Sequence, residues 1–437
     1  MTKQQQKMAD QMLARDAEYI LRPWSGSGEP VPIVDARGCV VTDADGKSFL
    51  DFTTGYFVNQ AGHCNPRVMK AAAEQLGKVT QVSGRHTTLP VIDLAERLVK
   101  LSPPSLTKTF YCTGGSEANE HALKMARQQS KKRDVCVLDN AYHGLTLGVL
   151  GGCAAKSYRD TAGIELQDTF FSIPHPYCYR CKHQDDCATQ CLDGVEKTLD
   201  DRPNTAALLA EPIQAVGGII PPQNWWERLE KIRKRRNLLL ILDEIQTGIG
   251  RTGKMFGAEH YGLEPDFMTI GKGVSGGVGS LAAVLARGEL VTDFYAGTTP
   301  TSAGNAVSAA AGVALIDTLI DEKLVENCAA MGEHFTGAVA ELGDPWVGEI
   351  RFKGLLGGVE LVLDRDSKQV LPGPLVAGVK DALHEDGMLL TVSGPLKNVL
   401  RLQPPLSITS KQIDAFVASL GRALSAIRAG NAKGMTG

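Results

Sequence analysis

The stretch Leu238-Leu239-Leu240-Ile241-Leu242-Asp243-Glu244-Ile245-Gln246-Thr247-Gly248 decides the fold when it is read with Met268-Thr269-Ile270-Gly271-Lys272-Gly273. Each is a short apolar run that ends on a charged side chain and opens into a loop. Continuous apolar runs of this length suit strands buried on both faces. Outward from this pair the pattern repeats. Thr109–Cys112, Val135–Leu138, Ala206–Ala210 and Leu281–Ala286 read as strands, and Val68–Leu76, Val91–Lys100, Ser116–Gln128 and Trp225–Arg235 read as helices. The alternation predicts an α/β fold with a mostly parallel, doubly covered sheet, whose ligands bind at the carboxyl ends of the strands. Asp243 and Lys272 fall on that edge.

A lysine amine and a carboxylate at neighbouring strand ends are the two protein groups that pyridoxal 5'-phosphate chemistry needs. The amine forms a Schiff base with the aldehyde, and the carboxylate keeps the ring nitrogen protonated so that the ring draws electrons. Taken alone, an Asp after an apolar run is more often a plain strand end beside a turn, so the pair needs context. Thr113-Gly114-Gly115-Ser116 supplies some: it follows a strand and opens a helix, where glycines let backbone N–H groups reach a phosphate. A tight turn is the plain alternative. Asp139-Asn140-Ala141-Tyr142-His143-Gly144 follows another strand and puts an aromatic where it can lie on a flat ring, with local packing as the alternative.

Of 437 residues, 43% are apolar and 22% charged, with a net charge of −3. These values are ordinary for a soluble protein and show no nucleic-acid footprint. The basic run Lys231–Arg236 reads as a solvated helix C-terminus. The polar N-terminus lacks an apolar secretory core and no run is long enough to span a bilayer, so no membrane association and a cytoplasmic location are expected. Among ten cysteines, Cys178, Cys181, Cys187 and Cys191 cluster with the spacing C-x2-C-x5-C-x3-C. That set is a candidate zinc site, though its second pair is not spaced as in a zinc ribbon. The alternative is a polar loop, Lys182-His183-Gln184-Asp185-Asp186, with reduced thiols.

The ordered motifs together resemble the class III (omega-type) aminotransferases, pyridoxal phosphate enzymes of fold type I. The resemblance runs through Asp51-Phe52-Thr53-Thr54-Gly55, Ala61–Pro66, Thr113–Glu120, Tyr142-His143-Gly144, Ala210-Glu211-Pro212-Ile213-Gln214, Leu242–Gly250, Gly271-Lys272-Gly273, Gly304-Asn305 and Arg401–Leu406. It implies a large domain with a seven-stranded sheet and a small α+β domain. The expected bounds are 1–55 for an N-terminal arm and meander belonging to the small domain, 56–320 for the large cofactor-binding domain and 321–437 for the rest of the small domain. The implied reaction moves an amino group from an amine or amino acid donor to a 2-oxo acid, pyruvate or 2-oxoglutarate, in a homodimer that could pair into a tetramer.

The resemblance also implies roles. Lys272 is the Schiff-base lysine and proton carrier, Asp243 the partner of the ring nitrogen, and Gln246 a donor to the ring hydroxyl. Ile245 and Tyr142 cover the two ring faces, with His143 beside them. Gly114, Gly115 and Ser116 bind the phosphate, and Thr301 reaches the phosphate of the neighbouring subunit. Arg401 grips the substrate carboxylate, and Glu211 pairs with it when an amine donor without such a carboxylate is bound. Tyr56, Phe57 and Val216 shape the donor pocket. Thr299–Ala306 departs from the commoner family form around Thr301. Residues 51–128 and 238–253 also resemble dialkylglycine decarboxylase, but Tyr56 and Val216 stand where that enzyme has a glutamine and a serine. A racemase on the same fold and a metal-binding regulatory protein are the remaining alternatives.

Overall fold

The computed structural model describes residues 3–21, 30–183, 187, 189–294, 297 and 300–434. Within the cysteine-rich loop, Gln184–Asp186 lie outside the described residues, as does Thr299.

A seven-stranded sheet forms the centre, in the order Lys108–Cys112, Ala282–Ala286, Phe267–Ile270, Leu239–Asp243, Thr205–Ala210, Asp134–Leu138 and Phe170–Ile173. The five strands from Phe267–Ile270 to Phe170–Ile173 pair in parallel, while Ala282–Ala286 runs antiparallel to both of its neighbours. The exception has a local cause. Parallel neighbours need a crossover of a dozen or more residues. Only a short glycine-rich segment joins Phe267–Ile270 to Ala282–Ala286, and Gly276, Gly277 and Gly279 turn it with φ of 61°, 85° and 67°. Every residue of Thr205–Ala210, Phe267–Ile270, Ala282–Ala286 and Asp134–Leu138 is buried. Burying each Leu or Ile of these runs contributes about 1.5–3 kcal/mol. Phe170–Ile173, which the periodicity does not reveal, is an edge strand with one buried residue.

The helices Pro66–Leu76, Leu89–Leu101, Gly115–Ser130 and Gln223–Arg235 match the predicted ones within two residues or so. Lys231–Arg236 does end a helix, but its solvated-face reading fails at Arg233. That side chain is buried, bonding Glu230 Oε1 at 2.6 Å and the Leu238 carbonyl at 2.6 Å, because the last turn of the helix folds back on the strand that leads to Asp243.

The remaining strands form two smaller sheets. Ile33–Arg37, Val40–Asp43 and Ser48–Asp51 make the expected antiparallel meander, and Met388–Leu389 pairs in parallel with Ser48–Asp51. Val347–Lys353, Leu356–Asp364, Val399–Leu402 and Thr391–Ser393 form a second, antiparallel sheet. After 347 two strands follow one another directly, joined by a tight turn at Gly354 (φ 54°). Among the described residues, no helix is long and apolar enough to cross a membrane.

Glu244, next to Asp243, ties the central strand to its return loop. Its buried carboxyl accepts from Gly257 N at 2.9 Å, from Ala258 N at 2.7 Å and from the Thr247 hydroxyl. Burial pushes it up to about 7 from 4.5, against the opposing pull of those bonds. A carboxyl that binds its proton more tightly folded than unfolded loses stability as pH rises between the two values. Stability against urea should therefore be greatest near pH 4.5 on this account and fall by about 3 kcal/mol by pH 7 and above. Glu244→Gln should flatten that part of the profile, and an unchanged slope in denaturation series from pH 5 to 8 would refute the assignment.

Candidate active site

The carboxyl ends of five strands bring the candidate residues together. Asp243 is the last residue of its strand, and Lys272 follows the end of the next one. Gly114 and Tyr142 come just after two others, and Glu211 just after a fifth strand, Thr205–Ala210.

Asp243 is buried and well bonded. Its Oδ2 accepts from Asn119 Nδ2 at 2.8 Å and lies 2.8 Å from His143 Nδ1, and its Oδ1 accepts from Ile245 N at 3.1 Å. An ionised carboxylate can only accept, so His143 carries its hydrogen on Nδ1. His143 Nε2 is buried with no protein partner. Asn119 is itself held: it donates to the His143 carbonyl at 2.7 Å and accepts from Thr269 Oγ1 at 2.7 Å. Such a network keeps a charge in an apolar interior, where an unpaired carboxylate would instead take up a proton. Asn119 and Thr269 carry no signal of this role in the sequence, since neither ends a strand nor interrupts a glycine turn.

Lys272 adopts φ 41° and starts a short 3-10 turn after Gly271. Burial pushes its amine below the ordinary lysine value; Asp243 and Glu211 oppose that shift and Arg401 adds to it. A lowered amine is a better nucleophile near neutral pH.

The helix Gly115–Ser130 begins directly behind Gly114, so its free N–H groups face the same edge. Two glycines there are dictated by space. A Cβ on Gly115 would lie 2.8 Å from Ile245 Cδ1, and one on Gly144 only 2.3 Å from Ser116 Oγ. Ser116 Oγ accepts from Leu145 N at 3.2 Å. The cradle, the anchored carboxylate and the amine match the three groups of a phosphorylated, aldehyde-bearing pyridine ring.

The other candidate residues have the following neighbours within the chain. Gln246 Nε2 donates to Gln403 Oε1 at 2.7 Å. Tyr142 packs edge to face on Tyr158, with centroids 5.1 Å apart, and burial pushes its phenol up to about 12. Tyr158 is a pocket residue that the sequence did not flag, because it sits in an exposed-looking polar run. Thr301 is exposed, and its carbonyl accepts from Gln81 Nε2 at 3.1 Å. Val216 is half-buried beside the Gly217-Gly218 turn.

Glu211 and Arg401, which the resemblance pairs when an amine donor without a carboxylate is bound, do not bond each other among the described residues. Glu211 Oε2 instead accepts from Ala215 N at 2.9 Å, while Glu211 Oε1 and Arg401 Nε are buried without partners. Burial raises the Glu211 carboxyl, with Asp243 adding to the shift. The Arg401 guanidinium lies 4.1 Å over the Phe57 ring, and burial lowers it to about 10. Phe57 reaches this place through a left-handed turn in which Thr54, Gly55, Tyr56 and Phe57 have φ of 53°, 59°, 70° and 73°. Such backbone costs about 1–2 kcal/mol per non-glycine residue. Asp51 anchors it, accepting from Thr53 N at 2.7 Å, Thr53 Oγ1 at 2.6 Å and Gly55 N at 2.8 Å.

The cysteine cluster stands apart from this site. Cys178 is exposed, Cys181, Cys187 and Cys191 are half-buried, and all four are free thiols. Among the described residues no three His, Cys, Asp or Glu side chains converge as metal ligands.

The family model for class III aminotransferases matches residues 24–424. The chain is 36% identical over 394 residues to an acetylornithine aminotransferase of Mycolicibacterium smegmatis, covering 90% of this chain and 93% of that one. It is 32% identical over 413 residues to a leucine/methionine racemase of Thermococcus litoralis, covering 92% of each. A taurine:2-oxoglutarate aminotransferase of Bifidobacterium kashiwanohense, solved in complex with PLP and glutamate, superposes with a TM-score of 0.90 at 25% identity, covering 96% of this chain and 98% of that one. The match spans nearly the whole chain and its fold, and with the lysine–carboxylate site it leads to one conclusion: this protein belongs to the class III aminotransferases, pyridoxal-phosphate-dependent enzymes of fold type I.

Proposed function

We propose that this aminotransferase moves an amino group between an amine or amino acid donor and a 2-oxo acid, pyruvate or 2-oxoglutarate, with Lys272 and Asp243 as its catalytic residues. The observation that carries the reading is the buried Asp243 carboxylate, held by Asn119 and His143 beside the Lys272 amine. Bound pyridoxal phosphate supplies an aldehyde that condenses with amines and a ring that draws electrons.

The chain's residues do the rest. Lys272 Nζ would hold the cofactor's aldehyde and would carry the proton at the substrate's reacting carbon. The Asp243 carboxylate would keep the ring nitrogen protonated. Gly114, Gly115 and Ser116 would hold the phosphate, Ile245 and Tyr142 would enclose the ring, and Gln246 would donate to the ring hydroxyl. Arg401 Nε, free in the pocket, bonds a substrate carboxylate. Glu211 leaves Ala215 N to neutralise Arg401 when the donor has no such carboxylate. Tyr56 and Val216 do not offer the polar grip of a glutamine and a serine on a departing carboxylate, which weighs against decarboxylation.

The reading includes a homodimer in which Thr301 serves the neighbouring subunit's phosphate, and a small domain formed from 1–55 and 321–437 around a large domain of 56–320. The pairing of Met388–Leu389 with Ser48–Asp51 supports that division. Ten free thiols support a cytoplasmic setting. The similarity to a racemase makes inversion at the substrate carbon the second reading.

Asp243→Asn should keep the fold and the cofactor but slow both half-reactions on the order of a hundredfold, because an amide cannot hold the ring nitrogen protonated. Single-turnover rates close to wild type would refute the role. Asn119→Ala, which strips Asp243 of one donor, should weaken pyridoxal phosphate retention during dialysis and cost about 2–3 kcal/mol of stability. Arg401→Ala should raise KM for the oxo acid about tenfold or more while sparing an amine without a carboxylate. Equal losses with both substrates would make Arg401 structural. Chiral analysis of a donor incubated without an oxo acid separates inversion from transfer.

A further inference from the structure

Glu211 and Val216 lie on a loop whose position is set from outside the pocket. The base of the loop is closed by Gln214 and Ile219, whose backbones exchange bonds of 2.9 and 3.1 Å. Its tip, Gly217-Gly218, has φ of 90° and 61°. The tip also touches two other backbones. A Cβ on Gly217 would lie 3.2 Å from Gly394 Cα, and one on Gly218 would lie 3.2 Å from Gly357 Cα.

Arg351, from the antiparallel sheet, holds this tip. Its Nη2 donates to the Gly217 carbonyl at 2.7 Å, and its Nε lies 3.2 Å from both the Gly217 and Gly218 carbonyls. The opposite side of the guanidinium donates through Nη1 to Glu360 Oε2 at 2.7 Å and also bonds Glu349. Glu360 is fully buried and takes further bonds from Arg180 Nε at 2.6 Å and from the Tyr177 hydroxyl, both at the start of the cysteine-rich insertion. The planar, five-donor group suits this bridge, because it meets two carbonyls on one edge and a carboxylate on another; an ammonium cannot span them.

We propose that Arg351 is a positioning residue for the substrate pocket. By pinning the Gly217 and Gly218 carbonyls it fixes the Ala215 N–H that draws Glu211 away from Arg401. The pocket is thereby kept open to substrates that carry a carboxylate beside the reacting carbon. Loosening the tip frees Glu211 to neutralise Arg401, which favours amines without that carboxylate. The inference rests on the reading of Glu211 as the alternative partner of Arg401.

The test compares Arg351→Gln, Arg351→Lys and Glu360→Gln holoenzymes, alone and combined with Glu211→Gln. Binding of propionate and glutarate, which have neither amine nor oxo group, is measured by calorimetry beside kcat/KM for a carboxylate-bearing and a carboxylate-free donor. Arg351→Gln should weaken both acids about tenfold and shift the donor ratio equally, and Glu211→Gln in that background should restore acid binding. Arg351→Lys and Glu360→Gln should show smaller shifts of the same sign, and they carry the comparison if Arg351→Gln fails to fold. Unchanged acid binding, equal losses with both donors, or no rescue by Glu211→Gln would overturn the inference. If Glu211→Gln alone leaves the donor ratio unmoved, the reading of Glu211 falls and the inference with it. If it moves the ratio and the Arg351 variants do not, only the inference falls.

Discussion

The structure depends on keeping one carboxylate charged inside an apolar sheet. Asp243 ends a strand whose preceding residues are almost all buried, so its carboxylate oxygens are satisfied only through the donors that reach it. Asn119 comes from the helix after the first strand, His143 from the loop after another, and Ile245 from the turn that follows Asp243 itself. Three separate segments must arrive at the right depth for one side chain. That requirement constrains the order of the central strands, because Asn119 also bonds Thr269, on the neighbouring strand that leads to Lys272. Lys272 and Asp243 are thus coupled through an amide that touches both strands.

A second set of buried charges joins the central sheet to the antiparallel one. Arg251 is fully buried, and its described partners are the Leu355 and Pro404 carbonyls and the Gln60 side chain. Burial lowers it to about 10. Gln60 in turn packs against Gly273, next to Lys272: a Cβ there would meet Gln60 Cγ at 2.4 Å. The strained turn Thr54–Phe57 sits in the same junction and presents an aromatic face to Arg401. Strain of this kind persists only where surrounding bonds over-determine it, and Asp51 and the Gln403 carbonyl do so here.

Much of this was legible in the sequence because its signal is local. Strands buried on both faces announce themselves as apolar runs, and glycines beside a helix start mark close backbone approach. Phe170–Ile173 escaped because an edge strand has no such run. Ala282–Ala286 read correctly as a strand, but its direction depends on the length of the preceding connection rather than on its residues. The Glu211–Arg401 pairing was expected from resemblance alone. Whether two flexible side chains meet depends on competing donors, here Ala215 N, which no sequence pattern reports.

The sequence by itself carried the resemblance to the family, and with it the cofactor, in ordered motifs, and its hydrophobic runs placed Asp243 and Lys272 at two strand ends. Only the tertiary structure decided what holds them: Asn119 and Thr269 behind Asp243, Tyr158 against Tyr142, Phe57 under Arg401 and Arg351 behind the loop that carries Glu211. The reason is physical. Strand periodicity is written in neighbouring residues, whereas the bonds that satisfy a buried charge come from positions a hundred or more residues away, and their partners exist only once the chain has folded.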